Sequence, residues 1–322
     1  MMRPSTTHMR RRDFAAGIGL AALGASCGAA VAAPPALGRI VLGYTATLAF
    51  NGAFIAKDRG FFAQRGLDVE LVLITLNSNI PGAMMGGSIQ IGGPTPTVML
   101  QANDGGLDLV VVSGCSGIDP ANLTDGLLVR KGVAVTRPSD LIGKKIGVPG
   151  LNAYYHVLVR KWLADNKVDW RQVNFVEVPF TQSADVLRSG SVDAVATGEP
   201  FSQRIVADGI GTLMVTGTAM APAGTPSLFY AATRPWAQAN DAAVRGFRLA
   251  IADAVRFQAD DPAGARAIAG KYFKLPPDVL AKVTLPLLQS EVTADQIRFW
   301  IDLMAQQNMI QERPDAARLL IP

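Results

Sequence analysis

The sequence predicts an α/β fold of two lobes with a cleft between them. Two observations carry that expectation. A βαβ pattern is written twice, from Ile40 to about Ser113 and from Lys144 to about Val215. Each copy alternates apolar strand, polar loop, amphipathic helix and apolar strand, the pattern of a mostly parallel sheet. Single strands then join the copies: Gly126 to Arg130 leaves the first lobe, and Ser227 to Ala232 returns to it. The expected organisation is residues 33–126 with 225–322 for lobe one and 127–224 for lobe two, after a leader of residues 1–32.

Taken in order, Ile40-Val41-Leu42 reads as the first strand, ending at Gly43-Tyr44-Thr45. Asn51 is placed to cap a helix running through Arg59, which Gly60 stops. Leu67, Val69, Leu71 and Leu73 alternate with Asp68, Glu70 and Val72, as in a half-buried strand. A Gly-rich helix from Ile80 to Gly86 leads to strand Ile89 to Ile91. Pro94-Thr95-Pro96-Thr97 opens the next helix, and Leu109 to Val112 is a fully buried strand.

The second copy repeats the scheme. Pro138 to Leu141 gives a turn of helix, and Lys145 to Val148 a strand. Helix Ala153 to Ala164 and strand Val173 to Val178 follow. Helix Ser183 to Ser189 is closed by Gly190 and leads to strand Val192 to Ala196. Pro222, Pro226, Gly217 and Gly224 mark a linker. From Pro235 the chain reads as helical. Asp261-Pro262 is a cap followed by proline at the first helical position. Thr293 and Gln296 form a capping box for a helix that carries Ile297, Trp300, Ile301 and Met304 on one face.

Hydrophobic content of 49% and charged content of 17% fit a full core and exclude broad disorder. Of the formal charge of +4, three units fall in the first 32 residues, where Arg3, Arg10, Arg11 and Arg12 face only Asp13. The remainder is near neutral, so neither a nucleic-acid nor a lipid surface is expected. Arg11-Arg12-Asp13-Phe14 before the mild apolar run Ala15 to Ala30 resembles a twin-arginine export signal. Ala30-Val31-Ala32 has the small-x-small form of a cleavage site. Acylation at Cys27 is the alternative, although Gly24 to Cys27 lacks the leucine such sites carry. Past Ala32 only Cys115 and His156 remain of their types, so no internal disulfide, metal site or cofactor is expected. No second apolar run of membrane-spanning length follows.

Ala56-Lys57-Asp58-Arg59-Gly60-Phe61-Phe62 and Gly66-Leu67-Asp68-Val69-Glu70 resemble the opening of the nitrate/sulfonate/taurine-type binding proteins of bacterial ABC importers. That group is related to the thiamine-pyrimidine synthases. Asp140 to Lys145, Leu187 to Ala194 and Glu199-Pro200 agree in the same order. The resemblance implies a periplasmic-binding-protein fold of the second type, with a five-stranded sheet in each lobe. Leu127 to Arg130 and Ser227 to Ala232 would be the hinge strands. It further implies a monomeric, non-enzymatic periplasmic receptor that delivers a small-molecule ligand to an ABC permease and ATPase.

Candidate ligand contacts follow from strand ends and helix starts, where open α/β sheets bind ligands. Tyr44 and Thr45 follow the first strand, and Phe54 lies on the helix after it. Thr95 and Thr97 stand at a helix start, where free N–H groups favour an anion. Ser116 follows a buried strand within Ser113 to Gly117, which reads as a glycine-flanked loop. Asn152, Ala153 and Tyr154 form the matching helix start of lobe two. Glu199 ends a strand there, where it could serve the ligand or the backbone at the base of the cleft. Two helix starts and several aromatic rings point to an organic sulfonate or carboxylate. A neutral pyrimidine-like heterocycle is the alternative ligand. An enzyme of the related desulfinase or pyrimidine-synthase type is the alternative function, and it would need Cys115 paired with His156.

Overall fold

The computed structural model describes residues 37–274 and 277–321. The arginine pair, the cleavage site and Cys27 therefore lie outside the described residues. Eleven strands are formed among the described residues. They are β1 (Gly38–Tyr44), β2 (Leu67–Leu73), β3 (Ile91–Gly92), β4 (Leu109–Gly117), β5 (Gly126–Arg130), β6 (Lys145–Val148), β7 (Asn174–Glu177), β8 (Ala194–Thr197), β9 (Gly211–Thr216), β10 (Pro226–Thr233) and β11 (Leu287–Leu288).

They make two sheets, ordered β11-β4-β10-β3-β1-β2 and β7-β6-β8-β5-β9. Each contains a parallel trio, β2-β1-β3 in one and β7-β6-β8 in the other. Antiparallel strands extend each trio: β10 then β4 in the first sheet, β5 then β9 in the second. The sheets are thus mixed rather than mostly parallel. The first has six strands rather than five, because the two-residue β11 pairs with the end of β4.

The strand added next to each trio belongs to the chain as it crosses between sheets. β5 is the first strand after the chain leaves the six-stranded sheet, and β10 the first after it returns. Both pair inside one sheet and bridge nothing themselves. The crossings are the stretches 118–125 and 217–225, which run side by side. Ile118 N donates to Thr225 O at 2.9 Å, Gly224 N to Ile118 O at 2.9 Å, and Gly217 N to Asp125 O at 2.8 Å.

Local signals place most of the helices. Thr95 caps helix Pro96–Asp104 by accepting from Val98 N at 3.3 Å. Asp261 caps Pro262–Phe273 through Gly264 N at 2.8 Å. The Thr293/Gln296 capping box opens Ala294–Gln306. Gly190 ends Ser183–Ser189 at φ 76, a left-handed conformation that glycine adopts without a Cβ clash. Asn51 is not a cap. It is the first residue of helix Asn51–Asp58, and its amide reaches Gln258 Oε1 at 2.8 Å. That helix has no side-chain cap; Thr47 caps the 3-10 turn Leu48–Phe50 before it, accepting from Ala49 N at 3.3 Å.

Ser113 to Gly117 is not a loop. It continues β4, held by β10 on one side and β11 on the other. A strand flanked on both sides tolerates the glycines because its partners satisfy the backbone.

One apolar core runs through both lobes. It joins Met99, Leu109 and Ile118 to Leu127, Ile146, Tyr154 and Val157, with Ile297, Trp300, Ile301 and Met304 between them. The face of helix Ala294–Gln306 therefore packs on the first lobe and also reaches the second. Trp300 is fully buried, donates Nε1 to Pro226 O at 2.9 Å, and lies 5.7 Å from the Tyr154 ring. Replacing it empties the joint between the lobes. Trp300→Ala is expected to lower stability by about 3–5 kcal/mol, read as a lower denaturation midpoint in urea.

Candidate ligand site

The carboxyl ends of all six parallel strands converge on one cavity. Thr45 and Thr47 follow β1, Asn77 follows β2, and Thr95 follows β3. Pro149 and Ala153 follow β6, Phe180 follows β7, and Glu199 follows β8. Asp119, Asn122 and Asp125 come from the first crossing, Ser227 from the start of β10, and Thr284 from the segment before β11. Unfilled space out to the mouth is about 710 Å³, but the centre of a water molecule fits over only about 70 Å³ of it. The smaller figure describes the room left for a ligand, so the closed site suits a small molecule.

The cleft is closed by hydrogen bonds between the lobes. Leu48 N donates to Glu199 O at 3.0 Å, and Thr47 Oγ1 to the same oxygen at 3.4 Å. Ser78 Oγ donates to Glu177 Oε1 at 3.2 Å, and Gln203 Nε2 to Lys282 O at 2.9 Å.

Thr45, Thr95, Ser116, Ala153, Tyr154 and Glu199 line the cavity. Four other candidates stand away from it. Tyr44 packs edge-on against Phe50 and Phe54. Phe54 is fully buried and stacks on Tyr272 at 4.1 Å, a core role. Thr97 is fully buried and hydrogen-bonded to Thr95 Oγ1 at 3.0 Å. Asn152 takes φ 62 and donates its backbone N to His156 Nδ1 at 2.8 Å, so it shapes the turn before the helix.

Sequence reasoning missed Asn77 and Phe180. Extending the strand-end rule to the outer strands β2 and β7 would have found both. Asn122 and Asp125, on a crossing, and Thr284, on the irregular segment before β11, carry no such signal, because neither stretch has a periodicity to read.

The cavity is acidic. Asp119, Asp125 and Glu199 line it, and among the described residues no Lys, Arg or His does. Burial lifts Glu199 to about 7, against a hydrogen bond from Thr124 that lowers it, and the charge of Asp125 raises it further. Burial lifts Asp125 to about 6, partly offset by the Tyr155 hydroxyl that donates to it. Gly198 makes that contact sterically feasible, since a Cβ there would lie 2.5 Å from the Tyr155 oxygen. Glu199 Oε1 accepts from the Thr124 hydroxyl, while its buried Oε2 has no hydrogen-bond partner among the described residues.

Thiol chemistry has no support in the geometry. Burial pushes Cys115 up to about 12, and its Sγ donates to Ala49 O at 3.3 Å. His156 sits in the other lobe with Nδ1 occupied by Asn152, held down to about 3 by burial and by Arg160. A raised thiol and a committed imidazole do not form an activated pair. Among the described residues no group of three or more His, Cys, Asp or Glu could hold a metal ion, and no helix is long and apolar enough to cross a membrane.

The profile of a protein family, NMT1/THI5 like, matches residues 48–265. The chain belongs to the NMT1/THI5-like family. It is 24% identical over 279 residues to the bicarbonate-binding protein CmpA of Synechococcus elongatus, covering 79% of this chain and 61% of that protein. The chain thus spans under two thirds of CmpA. It is also 24% identical over 239 residues to a putative aliphatic sulfonates-binding protein of Escherichia coli, covering 71% of this chain and 72% of that protein. The solved alkanesulfonate-binding protein SsuA of Xanthomonas axonopodis bound to MOPS shares the fold with a TM-score of 0.74 at 24% identity, over 90% of this chain and 99% of that one. These relatives of the NMT1/THI5-like chain are binding proteins rather than enzymes.

The raised acids set a pH dependence of folding. An acid whose folded pKa lies above its unfolded value holds its proton more tightly when folded. Its share of stability is therefore full at low pH and is lost as pH rises. For Glu199 the loss runs from its ordinary 4.5 to about 7, and for Asp125 from 3.8 to about 6. Glu199→Gln should flatten the first part and raise the stability of the ligand-free protein at pH 8 by up to about 3 kcal/mol. Melting curves between pH 4 and 8 check both; an unchanged slope in the variant would show that Glu199 titrates normally.

Proposed function

We propose that the protein is the solute-binding component of an ABC importer, closing on a small molecule between its lobes and presenting it to a permease and ATPase pair. One observation carries this reading: the strand ends of both sheets enclose a single cavity that is sealed by hydrogen bonds between the lobes. The binding proteins among its relatives support it. Residues 33–126 with 225–322 and residues 127–224 act as the two moving bodies, and 118–125 with 217–225 as the hinge. Ligand energy then comes from contacts to both lobes that exist only in the closed form.

The contacts to the solute are Thr45, Thr95, Ser116, Ala153, Tyr154 and Glu199, joined by Thr47, Asn77, Asp125, Tyr155 and Phe180. The bicarbonate and sulfonate named for several relatives favour a small anion, read here as an organic sulfonate or carboxylate. The cavity favours the other ligand class, a neutral heterocycle, because three carboxyl groups and, among the described residues, no basic side chain face it. The threonine helix start gives an anion little, since Pro96 has no N–H and Thr95 already takes that of Val98. The protein works as a monomer without a cofactor. It reaches the periplasm through a twin-arginine signal in residues 1–32 and is released by cleavage after Ala32 rather than anchored at Cys27.

A thermal-shift screen of anionic and heterocyclic metabolites identifies the solute. Small-angle scattering with a saturating hit should then give a smaller radius of gyration than without it. No hit in either class would end the receptor reading, and an unchanged radius would remove hinge closure.

Export should depend on the paired arginines. Arg11→Lys with Arg12→Lys is expected to leave precursor in the cytoplasm, followed by immunoblotting of cell fractions. Normal export in a strain without the twin-arginine translocase would refute the assignment.

A further inference from the structure

Outside the cleft, a second cavity lies at the joint between the lobes. Its walls come from the C-terminal half of helix Tyr154–Asp165, the turn Trp170–Gln172 and the end of helix Ala294–Gln306. Open space out to its mouth is about 670 Å³. Tyr154 lines the ligand cavity and Arg160 this one, about 9 Å further along the same helix.

Arg160 is the group that marks this cavity. It is 5% exposed, and its guanidinium lies over the Trp170 ring at 3.6 Å. The ring covers one face and leaves the N–H edge for hydrogen bonds. That edge is poorly supplied. Nη2 reaches Gln307 O only at 3.5 Å, and the buried Nε has no partner among the described residues. Among those residues no carboxylate pairs with Arg160: Asp165 is taken by Lys161 at 2.6 Å and Asp169 by Arg171 at 3.4 Å.

The surroundings oppose the charge of Arg160 rather than balance it. Burial brings it down to about 10, and the like charge of Arg171 lowers it further. His156, held down to about 3, adds no negative charge. The C-terminal ends of the two helices offer about half a unit of negative charge each. A buried charge so weakly matched is costly. A guanidinium edge flanked by two more cations suits an anion with several terminal oxygens.

We propose that this cavity binds a small oxyanion, sulfate or phosphate, on the guanidinium of Arg160 with Lys161 and Arg171 at its rim, and that the ion braces helix Tyr154–Asp165 against helix Ala294–Gln306 across the joint. The site is separate from the solute cavity and does not depend on the receptor reading.

Calorimetry and melting curves with sodium sulfate and sodium phosphate, against sodium chloride at equal ionic strength, test it and tell the two ions apart. The wild-type chain should bind one of them with a Kd of about 1 mM or tighter. Arg160→Gln should weaken that binding by about tenfold to a hundredfold. Ala164→Glu sets a carboxylate one turn after Arg160, on the exposed rim of the cavity. It should engage the guanidinium from within the chain, raise the melting midpoint in chloride and abolish the response to the oxyanion. Sulfate and phosphate also stabilise proteins by exclusion from their surface, an increment every variant shares, so the part lost in the variants is the reading.

No response beyond that shared increment in the wild-type chain overturns the inference. So does a response left intact in Ala164→Glu or in a folded Arg160→Gln, for the ion then binds elsewhere. Should Arg160→Gln fail to fold, Ala164→Glu decides, since Ala164 is exposed. A lower midpoint of Arg160→Gln, equal with and without the oxyanion, would make Arg160 a packing residue and overturn the site.

Discussion

Backbone pairing across the two crossings is the constraint on which the rest of the structure depends. Each βαβ copy makes a parallel trio, and the inner edge of each trio presents unpaired N–H and C=O groups. β10 covers that edge in the first sheet and β5 in the second, each arriving antiparallel from the other side of a crossing. The second sheet is made of contiguous sequence, β5 to β9, but the first needs β10 and β11 from beyond that stretch. The chain therefore has to cross twice, and the two connectors lie together because Ile118 and Thr225 pair their backbones.

That arrangement places the chemistry. With the trios held by the strands that follow each crossing, the carboxyl ends of β1, β2 and β3 face those of β6, β7 and β8, and the loops beyond them become the walls of one cavity. The acids of the cavity are tied to the first connector. Thr124 donates to Glu199, and Asp125 holds the Tyr155 hydroxyl through its side chain and Gly217 through its backbone. A group that completes Glu199 thus acts on residues that also form the crossing. The cavity wall and the crossing share the same few hydrogen bonds.

The apolar core has a related division. On the outer face of each sheet it is local to one lobe, around Phe247 in the first and Leu187 in the second. On the other side it is continuous, and Trp300 stands between Pro226 and Tyr154. Gln307, beyond the end of the same helix, donates Nε2 to Val157 O at 3.1 Å. The C-terminal helix is therefore a strap across the joint as well as part of the first lobe.

The sequence by itself determined what depends on neighbours a few residues away. Strand β2 was legible in alternation, Ser183–Ser189 in its terminal glycine, and Ala294–Gln306 in its capping box and its face of Ile297, Trp300, Ile301 and Met304. The family resemblance was legible in the same turns. Thr45, Thr95, Ser116, Ala153, Tyr154 and Glu199 were legible as strand-end residues, and all of them reach the cavity. What only the tertiary structure decided was pairing and facing. Ser113 to Gly117 became strand because β10 and β11 flank it, a partnership between segments more than a hundred residues apart. Tyr44, Phe54 and Thr97 turned from the cleft into packing, since a residue at a strand end or helix start is offered to either side and the better-filled side wins. Asp125 and Asn122 entered the cavity from a connector that no periodicity marks. The acidity of the site, which helix starts alone do not announce, exists only where crossing and strand end meet.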